Sequence, residues 1–242
     1  MNDAQLSTVP DDTAGPLERP DNRQALTLTK SVYEQIRSDV LTGKLRPGEK
    51  LGAEALRSRF NTGSSPVREA LNRLLSEGLV ALEEQKGFRV APVSREELSE
   101  LVTARCWIDG AAITESIRRF DKSWEEHLVL ALHRLSRTSR GEPGLPGTAE
   151  WESRHKAFHL ALVGGCATRW ITRTSEQLFD AAERYRLLGA AYVPERNELD
   201  EHRAIVDACF ERNASKAVEL LKLHYGQTFN VIVNSIIASE PA

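Results

Sequence analysis

Cysteine is scarce in this chain: three in 242 residues, at Cys106, Cys166 and Cys209, with no paired spacing. An odd, sparse set argues against a disulfide framework and fits a reducing cytoplasm. Long apolar runs are missing as well. None approaches the roughly 18 residues a membrane span needs, so no membrane association is expected. The opening segment, MNDAQLSTVPDDTAGPLERP, has no basic start followed by an apolar core, so no signal peptide is expected. No repeat with a period of about 20 to 50 residues is evident. What is left is a chain of ordinary apolar content, long enough for one large domain or two small ones.

Charge divides the chain unevenly. Residues 1–27 carry two basic and five acidic side chains, residues 28–95 twelve and eight, and residues 96–242 eighteen and twenty-two. A small basic module is thus joined to a larger acidic one, a modest hint of nucleic-acid contact by the first.

Residues 1–27, rich in Pro, Asp, Thr and Gly without periodicity, read as a disordered tail. In LTKSVYEQIRSDVLTG, Val32, Ile36, Val40 and Leu41 form one helical stripe that Gly43 ends. After the turn LRPGEKL comes a short helix, GAEALRSRF, with Ala55, Leu56 and Phe60 apolar. A third helix follows NTGSS, with Ser65 expected as N-cap, Pro66 at the first helical position and Gly78 as the stop. Its buried stripe is Val67, Ala70, Leu71, Leu74 and Leu75. LVALEEQKGFRVAPV alternates around EQKG and reads as a β-hairpin.

Three short helices and a hairpin describe a winged helix-turn-helix over residues 28–92. The third helix of that motif leads into the major groove with its N-terminal residues. Here those are Ser64, Ser65 and Arg68, with Asn72 one turn on. Arg can read guanine, Asn adenine, and Ser either base or phosphate. Lys86, Gly87 and Arg89 would place the wing against the DNA backbone or minor groove. The plainer alternative is a small helical domain whose cations are merely solvated.

Residues 95–239 read as an all-helical bundle of six or seven helices. Six segments are expected, near 95–119, 122–139, 148–163, 167–190, 195–212 and 214–238, with caps at Ser94, Asp121 and Thr148. Four of the six histidines fall on apolar stripes of three of these helices. His155 and His159 accompany Trp151, Phe158 and Leu162; His202 accompanies Leu199, Ile205, Val206 and Cys209; His224 accompanies Ala217, Leu220, Leu221, Thr228 and Val231. His127 and His133 receive no role. Buried imidazoles need partners. Taken singly, each reads best as a hydrogen-bonded core residue; four together, with one pair four residues apart, suit shared metal coordination. Arg105 and Asp109 share the inward stripe of the first bundle helix with Leu98, Leu101, Val102 and Ala112. They are either a buried ion pair or an arginine facing a site for an anionic effector.

An open all-histidine metal position could also activate water. Hydrolysis would want a general base, and Lys156, Ala157 and Phe158 between His155 and His159 supply none. Glu201 adjoins His202, and a neighbouring helix residue is expected to point elsewhere. A sensor is therefore favoured over a metallohydrolase.

LRPGEKL, SPVREALNRLLSEGLV and KGFRV resemble the N-terminal domain of the GntR family of bacterial transcription regulators. The family's turn usually reads Ser-Arg-Thr-Pro-Val-Arg-Glu-Ala-Leu; here Arg68 keeps the second arginine and Ser64 replaces the first. The second half resembles the ligand-binding (FCD) domain of the FadR-type branch, with six helices favouring its VanR-type subgroup. Many members hold a metal with an Asp-x-x-x-His pair, a histidine in an EHRAI-like segment and one in the last helix. His159, His202 and His224 match the three histidines, and His155 stands where the family has aspartate. The resemblance implies a homodimeric repressor of a catabolic operon. It would bind a double-stranded DNA operator and leave it when a small organic acid binds at a divalent metal. Four imidazoles favour Zn or Ni over hard, oxygen-loving ions. A regulator that answers to metal alone is a further reading.

Overall fold

The computed structural model describes residues 22–142, 145, 147–189 and 197–239. Most of the expected tail, residues 1–21, lies outside the described residues, as do residues 190, 195 and 196 at expected helix ends. Residues 22–27, expected in the tail, are instead the first turns of α1 (Asn22–Leu41). The good helix formers Gln24, Ala25 and Leu26 outweigh the polar character of the segment there.

The chain is mainly α-helical. α2 (Ala53–Phe60) and α3 (Ser64–Ser76) follow α1, and β1 (Val80–Glu83) pairs antiparallel with β2 (Gly87–Val90). Val32, Ile36, Val40 and Leu41 of α1 meet Leu56, Val67, Ala70, Leu71 and Leu74 in one core, closed by Val80 and Val90. Each Val, Leu or Ile among them contributes about 1.5–3 kcal/mol by leaving water. Leu75 is only half-buried, at the edge of the stripe. The hairpin turns through Gln85 and Gly87, both at positive φ, so glycine is the natural residue at the second.

One expectation about α3 fails. Its N-cap is Gly63, with no side-chain cap bond, so Ser64 and Ser65 lie inside the first turn and Pro66 is the third helical residue. Proline is tolerated there because first-turn amides have no intrahelical partner.

Among the described residues six helices then form the bundle: α4 (Arg95–Arg119), α5 (Lys122–Ser136), α6 (Ala149–Gly164), α7 (Arg169–Leu188), α8 (Glu198–Phe210) and α9 (Ala214–Ser239). Ser94, Asp121 and Thr148 do cap, accepting bonds from the amides of Glu97, of Ser123 and Trp124, and of Trp151. α4 lies along α9 and α7, α5 along α6, and α8 along α9, around Ile113, Leu128, Phe158, Leu162, Ile205 and Leu221. α7 also reaches back to the winged unit. Arg184 donates to the carbonyls of Ala91 and Pro92, while the neighbouring Tyr185 donates to Glu97 of α4 within the bundle. Among the described residues no helix is long and apolar enough to cross a membrane.

Candidate metal centre and nucleic-acid interface

The inward stripes of α6, α8 and α9 converge. His155, His159, His202 and His224 are all buried, and one ring nitrogen from each lies within 4.8 Å of the others. The Nε2 atoms of His155 and His159 are 3.1 Å apart. Ligands at the roughly 2.0–2.1 Å metal–nitrogen bond length span about 3.0–3.4 Å between neighbouring nitrogens, so this pair needs little movement to share an ion. The four-residue spacing on α6 does this by placing the two rings one turn apart on one face, where they meet edge to face. Trp151, one turn before, stacks on His155 at 4.7 Å between ring centroids and sets its plane.

Burial, then the neighbouring imidazoles, then Arg105 hold His159 well below the usual histidine range. It is therefore neutral near pH 7, the state a metal ligand requires. Its Nδ1 is buried without a hydrogen-bond partner. On His224 the Nδ1 lies 2.8 Å from a carboxylate oxygen of Glu201. That contact fixes the tautomer and leaves Nε2 to the cluster. The residues thus fit a divalent ion on spacing, protonation and outer support.

Glu201 corrects the expectation that it points elsewhere. It does leave the face of His202, yet α9 packs beside α8 and brings His224 to it. Sequence periodicity marks what faces a core but not which neighbour arrives on the flank.

A cavity of about 30 Å³ adjoins the cluster. Three of the histidines line it, with Arg105, Arg186 and Tyr225. That volume holds a water or two but not an organic acid. Arg105 and Asp109 are buried together as the inward stripe requires, with the Arg105 Nε 3.7 Å from Asp109. The Arg105 guanidinium also lies 4.0 Å over the Tyr225 ring, while the Tyr225 hydroxyl donates to Asp109 at 2.7 Å. One carboxylate oxygen of Asp109 is buried with no hydrogen-bond partner. The pair is loosely matched, and its arginine faces the cavity.

Arg186 and Glu152 escaped the sequence reading. The buried Arg186 donates two bonds to Glu152, and burial pulls its pKa down to about 10. Glu152 precedes His155 by three residues on the same stripe, the only signal available.

At the other end of the molecule, Ser64, Ser65, Arg68 and Asn72 are all exposed on one side of α3. Arg68 makes no ion pair among the described residues. Lys86 is at the wing tip, 3.6 Å from Glu83, beside Gly87. Arg89 is less available, held by Glu83 at 2.9 Å and by the carbonyl of Gly48 at 3.1 Å.

Comparison with known proteins matches residues 28–90 to the family model "Bacterial regulatory proteins, gntR family" and residues 100–227 to the FCD domain. The chain is 34% identical over 211 residues to BphR of Paraburkholderia xenovorans, an uncharacterised HTH-type transcriptional regulator, covering 85% of each chain. It is 34% identical over 197 residues to the Escherichia coli HTH-type transcriptional repressor GlaR, covering 79% of this chain and 90% of the other. Among solved structures, a GntR regulator from Rhodococcus sp. RHA1 superposes with a TM-score of 0.67 at 22% identity, over 86% of this chain and 98% of that one. E. coli McbR/YncC does so with a TM-score of 0.66 at 19% identity, over the same shares. At those identities the structural likeness concerns the fold.

Proposed function

The chain belongs to the gntR family of bacterial regulatory proteins and carries an FCD domain, and we propose that it is a homodimeric repressor of a catabolic operon, released by a small carboxylate. It is a transcriptional regulator rather than an enzyme, as are the families and relatives it matches. This reading places it in the cytoplasm with its DNA.

On this reading residues 28–92 bind the operator. Ser64, Ser65, Arg68 and Asn72 enter the major groove, and Lys86 and Gly87 approach the backbone, with Arg89 bracing the wing from below. Residues 95–239 take the effector. The observation that carries this is the convergence of His155, His159, His202 and His224 beside Arg105. The four histidines would hold a divalent ion, Zn or Ni, which when bound offers positive charge and open positions to a carboxylate. Arg105 supplies a second anchor for that carboxylate, and Asp109 positions Arg105. Similarity to the E. coli repressor GlaR supports the sign of regulation.

The small cavity means an organic acid enters only if the α7 and α9 walls, with Phe179 and Phe229, move apart. α7 is also the helix that touches the winged unit, so displacing it disturbs the placement of α3. A route for this runs through charges: Lys156, between His155 and His159, is 2.7 Å from Asp180, and Asp180 is 3.8 Å from Arg37 of α1. Arg37 is in turn 3.5 Å from Glu77, the C-cap of α3.

The same small cavity favours a second reading, in which the metal alone is the signal. One experiment separates the two: metal analysis of untagged protein, then operator titrations of apo and Zn-loaded protein with and without a panel of organic acids. The proposal expects about one ion per chain and release only with an acid. Release by metal alone supports the second reading, and release of the apo protein by an acid with no metal overturns the metal site.

A further inference from the structure

The cavity beside the histidine cluster is not lined by cations alone. Glu183 of α7 and Glu198 of α8 also face it, with side chains only 10% and 14% exposed. A purely anionic effector would be repelled by both, in surroundings that screen charge weakly. Two carboxylates in a site for an anion need a reason.

The ion pairs around the cavity are unequally matched. Arg186 donates two bonds to Glu152 of α6, so its guanidinium is already engaged. Arg140 lies 3.8 Å from Glu198. Glu183 meets only Arg186 among the described residues, at 4.0 Å. That is too long for a hydrogen bond. Burial accordingly pushes the Glu183 carboxyl up, against the pull of Arg37 and Lys156. Arg105 is the loosely held cation of the same cavity, 3.7 Å from Asp109. The cavity thus has one under-matched cation on α4 and one under-matched anion on α7.

We propose that the effector is an amino acid, whose carboxylate meets the metal and Arg105 while its ammonium meets Glu183. This deepens the carboxylate reading above and rests on it. An ammonium gives Glu183 the charge-assisted bond that Arg186 is too far away to make, and its charge offsets the repulsion from Glu198. A hydroxyl can donate to Glu183 but brings no charge. A second carboxylate would face two groups of its own sign. Glu183 belongs to α7, one of the walls that part to admit a ligand, and α7 reaches back to the winged unit through Arg184. The ammonium therefore gives the ligand a hold on the helix that carries the signal.

Calorimetry on the Zn-loaded full chain tests this with matched ligands: short straight-chain amino acids, the amine beside the carboxylate or at the far end. Each is set against the acid of the same length with a hydroxyl, or with hydrogen, in place of the amine. At least one amino acid should bind about 10-fold tighter than both of its partners, the worth of one charge-assisted hydrogen bond. Glu183→Gln keeps the size and removes the charge, so it should erase that preference and leave the plain acid bound as well or better. Metal content and melting temperature are measured in both proteins. If the plain or hydroxy acid bound as tightly as every matched amino acid, the carboxylate reading would stand and the amino-acid inference would fall. A preference for the amine that survived Glu183→Gln would place the nitrogen elsewhere, on the metal for instance, and overturn Glu183 as its partner. An equal loss for all three ligands would make Glu183 a structural residue and overturn it too. Binding of no ligand in the panel would overturn both this inference and the carboxylate reading.

Discussion

Arg37 of α1 and Asp180 of α7 face each other at 3.8 Å, joining the winged unit to the bundle by charge. Asp180 also holds Lys156 of α6, and Arg37 also approaches Glu77, so the contact is one link of a chain rather than an isolated pair. Each link is a half-exposed ion pair, of modest worth: about 0.2–1 kcal/mol. The coupling carried should be of that order. Asp180→Asn is expected to leave operator affinity of the effector-free protein within a few-fold. The ratio of operator dissociation constants with and without effector should shrink by up to about fivefold at 0.6–1 kcal/mol of lost coupling. Paired titrations of wild type and Asp180→Asn at one salt concentration decide it. An unchanged ratio sends the signal through the apolar contacts of α7 instead.

The ends of that chain differ in how far the sequence disclosed them. The histidine stripes of α6, α8 and α9 could be read because burial follows the helical period, and all four residues proved buried together. The caps at Ser94, Asp121 and Thr148 could be read because a side-chain oxygen bonds an amide two or three residues away. The bond from His224 to Glu201 and the pair of Arg186 with Glu152 could not. They join residues 23 and 34 positions apart, and nothing in either local pattern names the partner. The start of α3 was misplaced for a subtler reason. Serine before proline is a strong N-terminal signal, yet Gly63 in an extended conformation ends the turn two residues earlier and the first-turn amides accept proline equally well.

In the winged unit, Arg68 of α3 and Lys86 of the wing tip should separate two kinds of proposed contact. Arg68→Ala is expected to cost about 1–3 kcal/mol at the operator and to relax base preference at one position of each half-site. Lys86→Ala should weaken binding evenly across sequences and lower the salt slope by about one. Both side chains are exposed, so the folded state should be unaffected. Binding to a panel of single-base operator variants at two or more salt concentrations distinguishes them. An Arg68→Ala protein with unaltered preference would show that α3 does not lead with this residue.

Glu201 offers a test of the proposed metal centre that spares all four imidazoles. Glu201→Gln keeps the size and removes the carboxylate that meets His224 Nδ1 at 2.8 Å. Losing such an outer partner typically costs about 10–100-fold in metal affinity. His159→Ala or His202→Ala should abolish binding, and with it the rise in melting temperature that a metal bound to the native state provides. Competition against a chromophoric chelator gives the affinities, and thermal unfolding with and without Zn gives the stabilisation. If Glu201→Gln bound Zn as tightly as wild type, the carboxylate would be a packing feature and not support for a ligand.

His155 stands where the resemblance noted in the sequence implies an aspartate, and the difference predicts a change of charge. A neutral imidazole cancels none of an ion's charge, whereas a carboxylate cancels one unit. His155→Asp keeps a ligand atom on the same face of α6, one turn from His159, so the metal should stay. It should also end the stacking on Trp151, at a small cost in stability. The pocket beside it is buried and already contains Arg105, so a one-unit change is weakly screened there. An anionic effector should therefore bind the variant more weakly. Operator binding without effector should be untouched, because Arg68 and Asn72 belong to α3, in the winged unit rather than the bundle. Calorimetry on metal-loaded wild type and His155→Asp, at the same pH and with metal content measured in both, reads the difference directly. Tighter effector binding by the variant, with its metal retained, would mean that the imidazole is a spatial ligand only and that site charge does not set effector affinity.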